Sequence, residues 1–118
     1  MTVIVLFGGA SDGRHASVAA AQEIVRTLGS PLAWFWAPEG AVHDVAPADL
    51  LAHQRPLEID YVPSRPAIFP DIEQALDTLP VDDPNFLLVL PGEEEETVQR
   101  MLAQRGISAR RSSERSIP

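Results

Sequence analysis

Two glycine-containing turns, each directly after an apolar run, are the stretches of this sequence best suited to chemistry. The first turn holds Gly8 and Gly9, and the second holds Gly92. Glycines let the backbone turn sharply and let a ligand approach it closely. The helical pattern after the first turn would direct its N-terminal N–H groups at the same loop, where they favour an anion. The sequence therefore predicts a ligand site at these turns.

The elements that must position the turns alternate between strand and helix. Apolar runs bounded by turn residues predict strands at 3–7, 32–37, 41–45, 86–90 and 107–109. Helical spacing predicts a first helix from residue 11 or 12 to 28, and helices at 47–51, 71–79 and 97–104. This alternation is typical of an α/β fold with a mainly parallel sheet flanked by helices. The two most apolar strands would be neighbours whose carboxyl ends open into one crevice.

Length and charge limit the class of protein. The 118 residues predict one domain over 1–118, with a polar tail from residue 110. The net charge of −8 argues against nucleic acid as a partner. The aromatic cluster at 34–36 is interpreted as core packing rather than a base-stacking surface. The sequence contains no lysine, so the phosphate-binding lysine of a P-loop or kinase-like ATP site is missing.

Cysteine, histidine and hydropathy limit compartment and metal content. The chain has no cysteine, and its three histidines are too widely spaced for a metal-ligand pattern. No apolar run reaches the ~18 residues that a membrane span needs. No basic segment precedes an apolar stretch at the N-terminus, as a signal peptide would require. We therefore expect a cytoplasmic protein with no membrane partner and no bound metal.

A dinucleotide-binding fingerprint is the first alternative for residues 8–14. It lacks its third glycine, because His15 stands at that position. No acidic residue follows the second strand where a ribose would need one, since Glu39 lies in the turn. The absence of lysine also removes the Tyr–Lys pair of short-chain dehydrogenases. This alternative is disfavoured.

A family resemblance explains the two turns better. Residues 6–11, Leu-Phe-Gly-Gly-x-Ser, with Ser17 six places on, resemble the Phe-Gly-Gly-x-Ser opening of D-alanine–D-alanine ligases. Residues 86–99 are similar to that family's Leu-His-Gly … Gly-Glu-Asp-Gly-Thr-x-Gln segment, and 106–107 to the Gly-Ile that follows it. The resemblance spans essentially the whole chain in the right order. It covers only the N-terminal domain of those enzymes.

The resemblance implies a three-layer Rossmann-like domain of the kind that precedes an ATP-grasp region. Such ligases, which serve peptidoglycan precursor synthesis, phosphorylate one D-alanine with ATP, and the amine of a second D-alanine attacks the acyl phosphate. ATP and magnesium are implied only for a full-length family member, so no cofactor is expected in this chain. The implied partners are an ATP-grasp domain in cis or in trans, a second copy in a homodimer formed through the first helix, and an amino-acid-like ligand.

The sequence departs from the family at two site positions. Gly13 stands where the family has the glutamate that holds the ammonium of D-alanine, and Pro91 stands where it has the histidine of Leu-His-Gly. No catalytic residue is therefore assigned, and we expect no ligase or ATPase activity from this chain alone. The substrate-binding positions that the resemblance retains are Gly8, Gly9, Ser11, Arg14, Ser17 and Gly92.

Three points stay open at the level of sequence. Asp12, next to Gly13, is a candidate replacement for the missing glutamate. Ser11 and Ser17 have a second interpretation, as a helix cap and a helix-face hydroxyl. The glutamates at 93–96 suit either a cation site or, preferably, a solvated first turn of a helix. The alternative for the whole chain is a non-enzymatic small-molecule-binding or dimerisation module on the same scaffold.

Overall fold

The computed structural model of the chain describes residues 2–11, 13–28, 32–79 and 82–111. Its five strands are β1 (Thr2–Gly8), β2 (Leu32–Trp36), β3 (Val42–Val45), β4 (Pro84–Val89) and β5 (Ser108–Arg111). Its four helices are α1 (Arg14–Leu28), α2 (Pro47–Ala52), α3 (Ile72–Thr78) and α4 (Gly92–Gln104).

The strands form one mixed, mostly parallel sheet in the order β3-β2-β1-β4-β5. Strand β1 is central and pairs in parallel with β2 and β4, so that Phe7 lies opposite Phe35 on one side and Val89 on the other. Strand β5 continues the parallel part, and β3 returns antiparallel to β2. The prediction that β1 and β4 are neighbours is confirmed, and their carboxyl ends share one edge of the sheet.

The apolar run of β1 has a direct structural reason. Strand side chains alternate between the two faces of a sheet. Val5 and Phe7 belong to the core beneath α1 and α2, whereas Ile4 and Leu6 belong to the core beneath α3 and α4. All four are fully buried. A strand covered by helices on both faces of the sheet needs apolar residues at successive positions. The helices on both faces therefore explain the apolar run of β1.

Each face of the sheet has its own apolar core. Trp34 and Phe35, adjacent in β2, go to opposite faces and are 2% and 4% exposed. The interpretation of this cluster as core is therefore confirmed. Helix α1 contributes Val18 and Val25 to one core, and α4 contributes Val98 to the other.

Three boundaries differ from the sequence predictions. Helix α4 begins at Gly92 rather than residue 97, because a run of acidic residues is favoured at a helix N-terminus. Strand β5 extends to Arg111, whereas a tail was predicted from residue 110; residues 112–118 lie outside the described part. Strand β4 begins at Pro84 rather than residue 86, since proline is tolerated at the first residue of a strand.

The start of α1 also differs slightly from the prediction. The helix begins at Arg14, whose N–H donates to the carbonyl of Ser11 over 3.1 Å. The N–H of Gly13 donates to Ser11 Oγ over 3.3 Å, so Ser11 stabilises the turn that precedes the helix. Asp12, the other predicted start of this helix, lies outside the described residues, as does Gly29, the residue after α1 in the sequence.

The proline-containing segment between α2 and α3 is irregular, but it is attached to the sheet. The N–H of Ile68 donates to the carbonyl of Val42 over 2.8 Å, and the N–H of Val42 donates to Phe69 O over 3.0 Å. Farther back, Tyr61 is buried against Phe35 at the carboxyl end of β2. The segment therefore forms a wall beside the turns of interest. Among the described residues, no helix is both long enough and apolar enough to cross a membrane.

Candidate functional site

The crevice between β1 and β4 is the first candidate site. The chain leaves β1 for β2 on one side and later returns to β4 on the other, so the strand order reverses at this point. Open α/β sheets bind ligands at such a point, beyond the carboxyl ends of the strands. A cavity of about 260 Å³ lies here, between Gly13 and Ser17 near the start of α1 and Val89 and Pro91 near the end of β4.

The Gly8-Gly9 turn is shaped by its contact with β2. The φ angles of Gly8 and Gly9 are 109° and 96°, which other residues rarely adopt. A Cβ on Gly8 would lie 2.6 Å from the carbonyl oxygen of Trp36. The N–H of Gly9 donates to that same oxygen over 2.7 Å. Both glycines are therefore needed to bring the turn against β2.

Ser17 joins the ends of the two central strands. Its Oγ accepts a hydrogen bond from the N–H of Gly8 over 2.8 Å and donates one to the carbonyl of Val89. The residue is only 6% exposed. The Ser17 hydroxyl therefore donates its proton to a partner in the chain itself. This agrees with the interpretation of Ser17 as a helix-face hydroxyl with a structural role.

The N–H groups of the loop after Gly9 are bound by a carboxylate of the chain itself. Ala10 N–H donates to Glu94 Oε2 over 2.7 Å, and Ser11 N–H donates to Glu94 Oε1 over 3.2 Å. A Cβ on Gly9 would collide with this carboxylate. Glu94 therefore takes the position that the sequence predicted for an external anion.

This role of Glu94 differs from the solvated first turn predicted for residues 93–96. Glu94 is half-buried, and its neighbour Glu95 is buried, at 7% exposure. Nothing in the acidic run singles out one glutamate, because the contact depends on the distance between the α4 N-terminus and the β1 turn. That distance follows from the pairing of β1 with β4.

Gly13 and Pro91, the two positions where the sequence departs from the resembled family, meet in the crevice. A Cβ on Gly13 would lie 3.0 Å from Cβ and Cγ of Pro91. The proline ring therefore takes up the space that a side chain at residue 13 would need. Asp12, the candidate replacement for the glutamate, lies outside the described residues.

Arg14 lies on the β2 side of the loop. Its Nε donates to Asp60 Oδ1 over 3.0 Å, and its Nη1 donates to the carbonyl of Ser11 over 3.2 Å. His15 Nε2 lies 2.6 Å from the same Asp60 oxygen and donates to it, since a carboxylate oxygen only accepts. These hydrogen bonds, that of His15 foremost, lower the pKa of Asp60.

Gly92, the last of the predicted binding positions, is the exposed first residue of α4. A Cβ added there would meet no atom within 4 Å. Of the predicted positions, the structure brings Gly8, Gly9, Ser11 and Ser17 together at the crevice. In the part of the chain that the structure describes, no group of three or more His, Asp or Glu side chains could hold a metal ion.

Comparison with known proteins assigns no family. No protein-family model matches the sequence, and no curated protein matches it.

Proposed function

We propose that this chain is the substrate-side, Rossmann-like domain of a D-alanine–D-alanine ligase-like protein of the cytoplasm, and that it has no ligase activity alone. The observation that carries the proposal is the contact between Gly13 and Pro91. The resemblance assigns both positions to the amino-acid pocket, although 78 residues separate them in the sequence. Their contact at the reversal point of the sheet is what a shared pocket requires.

The side chains present at the crevice suit one side of a binding pocket and not a catalytic centre. Ligation needs a group that holds the ammonium of the substrate, and Gly13 has no side chain to do so. Pro91 offers no ring nitrogen that could orient a substrate or move a proton. The domain would close one side of the amino-acid pocket, and an ATP-grasp region in cis or in trans would supply ATP, magnesium and the phosphoryl-transfer groups for peptidoglycan precursor synthesis.

Restoring the two side chains tests the proposal. We expect the double variant Gly13→Glu with Pro91→His to be stabilised by D-alanine more than by L-alanine in a thermal-shift titration, because a ligand that binds only the folded state raises its melting point. Gly13→Glu alone should respond more weakly, since Pro91 offers no ring nitrogen that could orient the substrate.

Two results would contradict this assignment. A folded double variant that does not discriminate D-alanine from L-alanine would show that the crevice is not an amino-acid pocket. Turnover of ATP by the pure wild-type chain, measured in a coupled assay, would show that the domain is not inactive alone.

A binding or dimerisation module is the second candidate, and the contact of Glu94 favours it. The loop N–H groups are satisfied by Glu94, so the scaffold is complete without a ligand. Helix α1 presents an exposed Ala16 beside the half-buried Ala19 and Ala20, a surface of small residues that a second copy could cover. Light scattering that shows a monomer at high protein concentration would count against dimerisation.

A further inference from the structure

A second cavity, of about 350 Å³, lies on the other side of the α1 N-terminus. Arg14 and His15 line it from α1, Phe35 from β2, and Asp60 and Tyr61 from the segment between α2 and α3. We call it the Arg14–Tyr61 pocket. None of these residues lines the crevice between β1 and β4. Its volume lies within the range of small-molecule sites, roughly 300–1,000 Å³.

The floor of the Arg14–Tyr61 pocket is apolar and held in place by packing. The rings of Phe35 and Tyr61 meet edge to face with centroids 5.1 Å apart. Phe7 packs behind both, at 5.4 Å from Phe35 and 6.2 Å from Tyr61. Burial and the nearby Asp49 raise the pKa of Tyr61 to about 12, so its phenol stays neutral at ordinary pH. Such a floor suits an aromatic or aliphatic body.

The α1 side of the pocket has more donors than acceptors. Arg14 Nε and His15 Nε2 converge on one oxygen, Asp60 Oδ1. Guanidinium has five N–H groups, and the hydrogen bonds described here use only Nε and Nη1 of Arg14. Asp60 itself is 59% exposed and belongs to an irregular segment, so its carboxylate can be exchanged for another.

The opposite rim limits how much negative charge a ligand can carry. Glu39 lies there, beside His43, whose Nδ1 donates to the carbonyl of Arg65 over 2.9 Å. A second anionic group on a ligand would face the Glu39 carboxylate. An amine placed on the α1 side of the pocket would face the Arg14 guanidinium, which repels a like charge.

We propose that the Arg14–Tyr61 pocket binds a small monocarboxylic acid with an apolar body. The ligand carboxylate takes the place of the Asp60 carboxylate on Arg14 and His15, and the body lies on the rings of Phe35 and Tyr61. Charge-assisted hydrogen bonds to the guanidinium fix the acid group. The apolar floor supplies the burial that distinguishes such an acid from acetate.

The test uses defined probes and the whole chain. Phenylacetate and 4-methylpentanoate are titrated into the ¹⁵N-labelled protein, with phenethylamine, 2-phenylethanol and inorganic phosphate as comparison ligands. Both acids should give saturable shifts at His15 and Tyr61. The amine and the alcohol should bind at least about tenfold more weakly, the value of one lost charge-assisted hydrogen bond. Phosphate should also bind more weakly, because it has no apolar body to bury against the floor.

Two substitutions should change the affinity in opposite directions. Asp60→Asn removes the competing carboxylate and should strengthen phenylacetate binding several-fold. Arg14→Gln should weaken it by about tenfold or more. Arg26→Gln is the matched control, because Arg26 is also on α1 but pairs with Glu23 away from the pocket, and it should leave the affinity unchanged.

Several results would overturn the proposal. One is the absence of a saturable shift with either acid. Another is binding of the amine or the alcohol as tight as that of the acids. A third is weaker binding of phenylacetate to Asp60→Asn than to wild type. If Arg14→Gln fails to fold, Asp60→Asn still tests the proposal, because a gain in affinity for phenylacetate is expected for that variant. The Gly13→Glu, Pro91→His variant should bind phenylacetate like wild type, so the failure of the ligase-like assignment and the failure of this pocket are distinguishable.

Discussion

The crevice between β1 and β4 and the Arg14–Tyr61 pocket lie on either side of the start of α1. Both contain a cavity, but in the crevice the loop N–H groups are bound by a side chain of the chain itself. In the crevice, Glu94 binds the loop N–H groups and Ser17 binds the N–H of Gly8. In the pocket, a cavity of about 350 Å³ remains above two packed rings. A glycine-rich turn is thus not sufficient for a binding site, because its donors can be satisfied within the chain.

The two sites differ in the carboxylate that an incoming ligand must displace. An external anion in the crevice must displace Glu94, a carboxylate tethered close to its donors, and must leave it solvated elsewhere. A ligand in the pocket displaces only Asp60, which is more than half exposed. The following substitutions test this contrast, from the largest expected effect to the smallest.

Gly8→Ala should cause the largest loss of stability, because Gly8 forms the turn at the base of the crevice. Its φ is 109°, and its new Cβ would lie 2.6 Å from a backbone oxygen of β2. We expect the free energy of unfolding to fall by about 3–4 kcal/mol in urea denaturation, from strain plus overpacking. Gly40→Ala is the control, since its φ is 110° but no atom lies within 4 Å of the new Cβ. It should cost only about 1–2 kcal/mol. Equal losses would mean that the turn can move away from β2.

Ser17→Ala should cause the next largest loss. It removes the hydroxyl between β1 and β4 and leaves the buried N–H of Gly8 without this acceptor. We expect a loss of about 2 kcal/mol in the free energy of unfolding, and faster hydrogen exchange of the Gly8 amide. Ser64→Ala, which removes an exposed hydroxyl bound to Asp49, should change stability by less than about 0.5 kcal/mol. A similarly small change for Ser17→Ala would contradict the bridging role.

Glu94→Gln should destabilise the chain by about 1 kcal/mol, because one charged acceptor of the Ala10 and Ser11 amides becomes a neutral donor. Glu93→Gln is the matched control, since it removes the same charge from the same helical turn. The amide resonances of Ala10 and Ser11 should shift in Glu94→Gln and stay in place in Glu93→Gln. Equal shifts would assign the effect to the helix dipole instead.

Acid titration of Asp60 should give the smallest effect, confined to low pH. His15 and Arg14 lower its pKa below the ordinary value of 3.8. A carboxylate with a lowered folded pKa stabilises the folded state fully above the unfolded pKa, and this contribution is lost as the pH falls through the folded pKa. The stability difference between wild type and Asp60→Asn should therefore be constant above pH 3.8 and shrink below it. A difference that shrinks on the alkaline side instead would contradict the lowered pKa.

The strands and helices were largely predictable because their signals are local. The apolar runs of β1 and β4, and the turn residues after them, predicted two buried neighbouring strands, and the structure has them paired in parallel. For α4, apolar spacing predicted a start at residue 97, and only the preferred interpretation of residues 93–96 as a helical first turn extended it toward its observed start. Its first turn consists of glutamates with no apolar spacing, and Glu94 gains its partners only from the distant β1 turn.

The sites were less predictable than the fold because their partners are far apart in the chain. Asp60 lies in a proline-rich segment with no periodic pattern, 45 residues after His15. Tyr61 follows it without any motif, and it forms the pocket floor only because the segment packs against β2. No spacing rule links these residues.

The sequence by itself determined the alternating α/β pattern, the two buried strands and the glycine turn that β1 requires, since these depend on neighbours a few residues away. Only the tertiary structure decided three contacts. Glu94 accepts hydrogen bonds from the loop N–H groups at the crevice, Gly13 lies beside Pro91, and Arg14 and His15 donate to Asp60. The physical reason is that hydrogen bonds and close contacts depend on distances in space. Those distances follow from the order of the strands in the sheet.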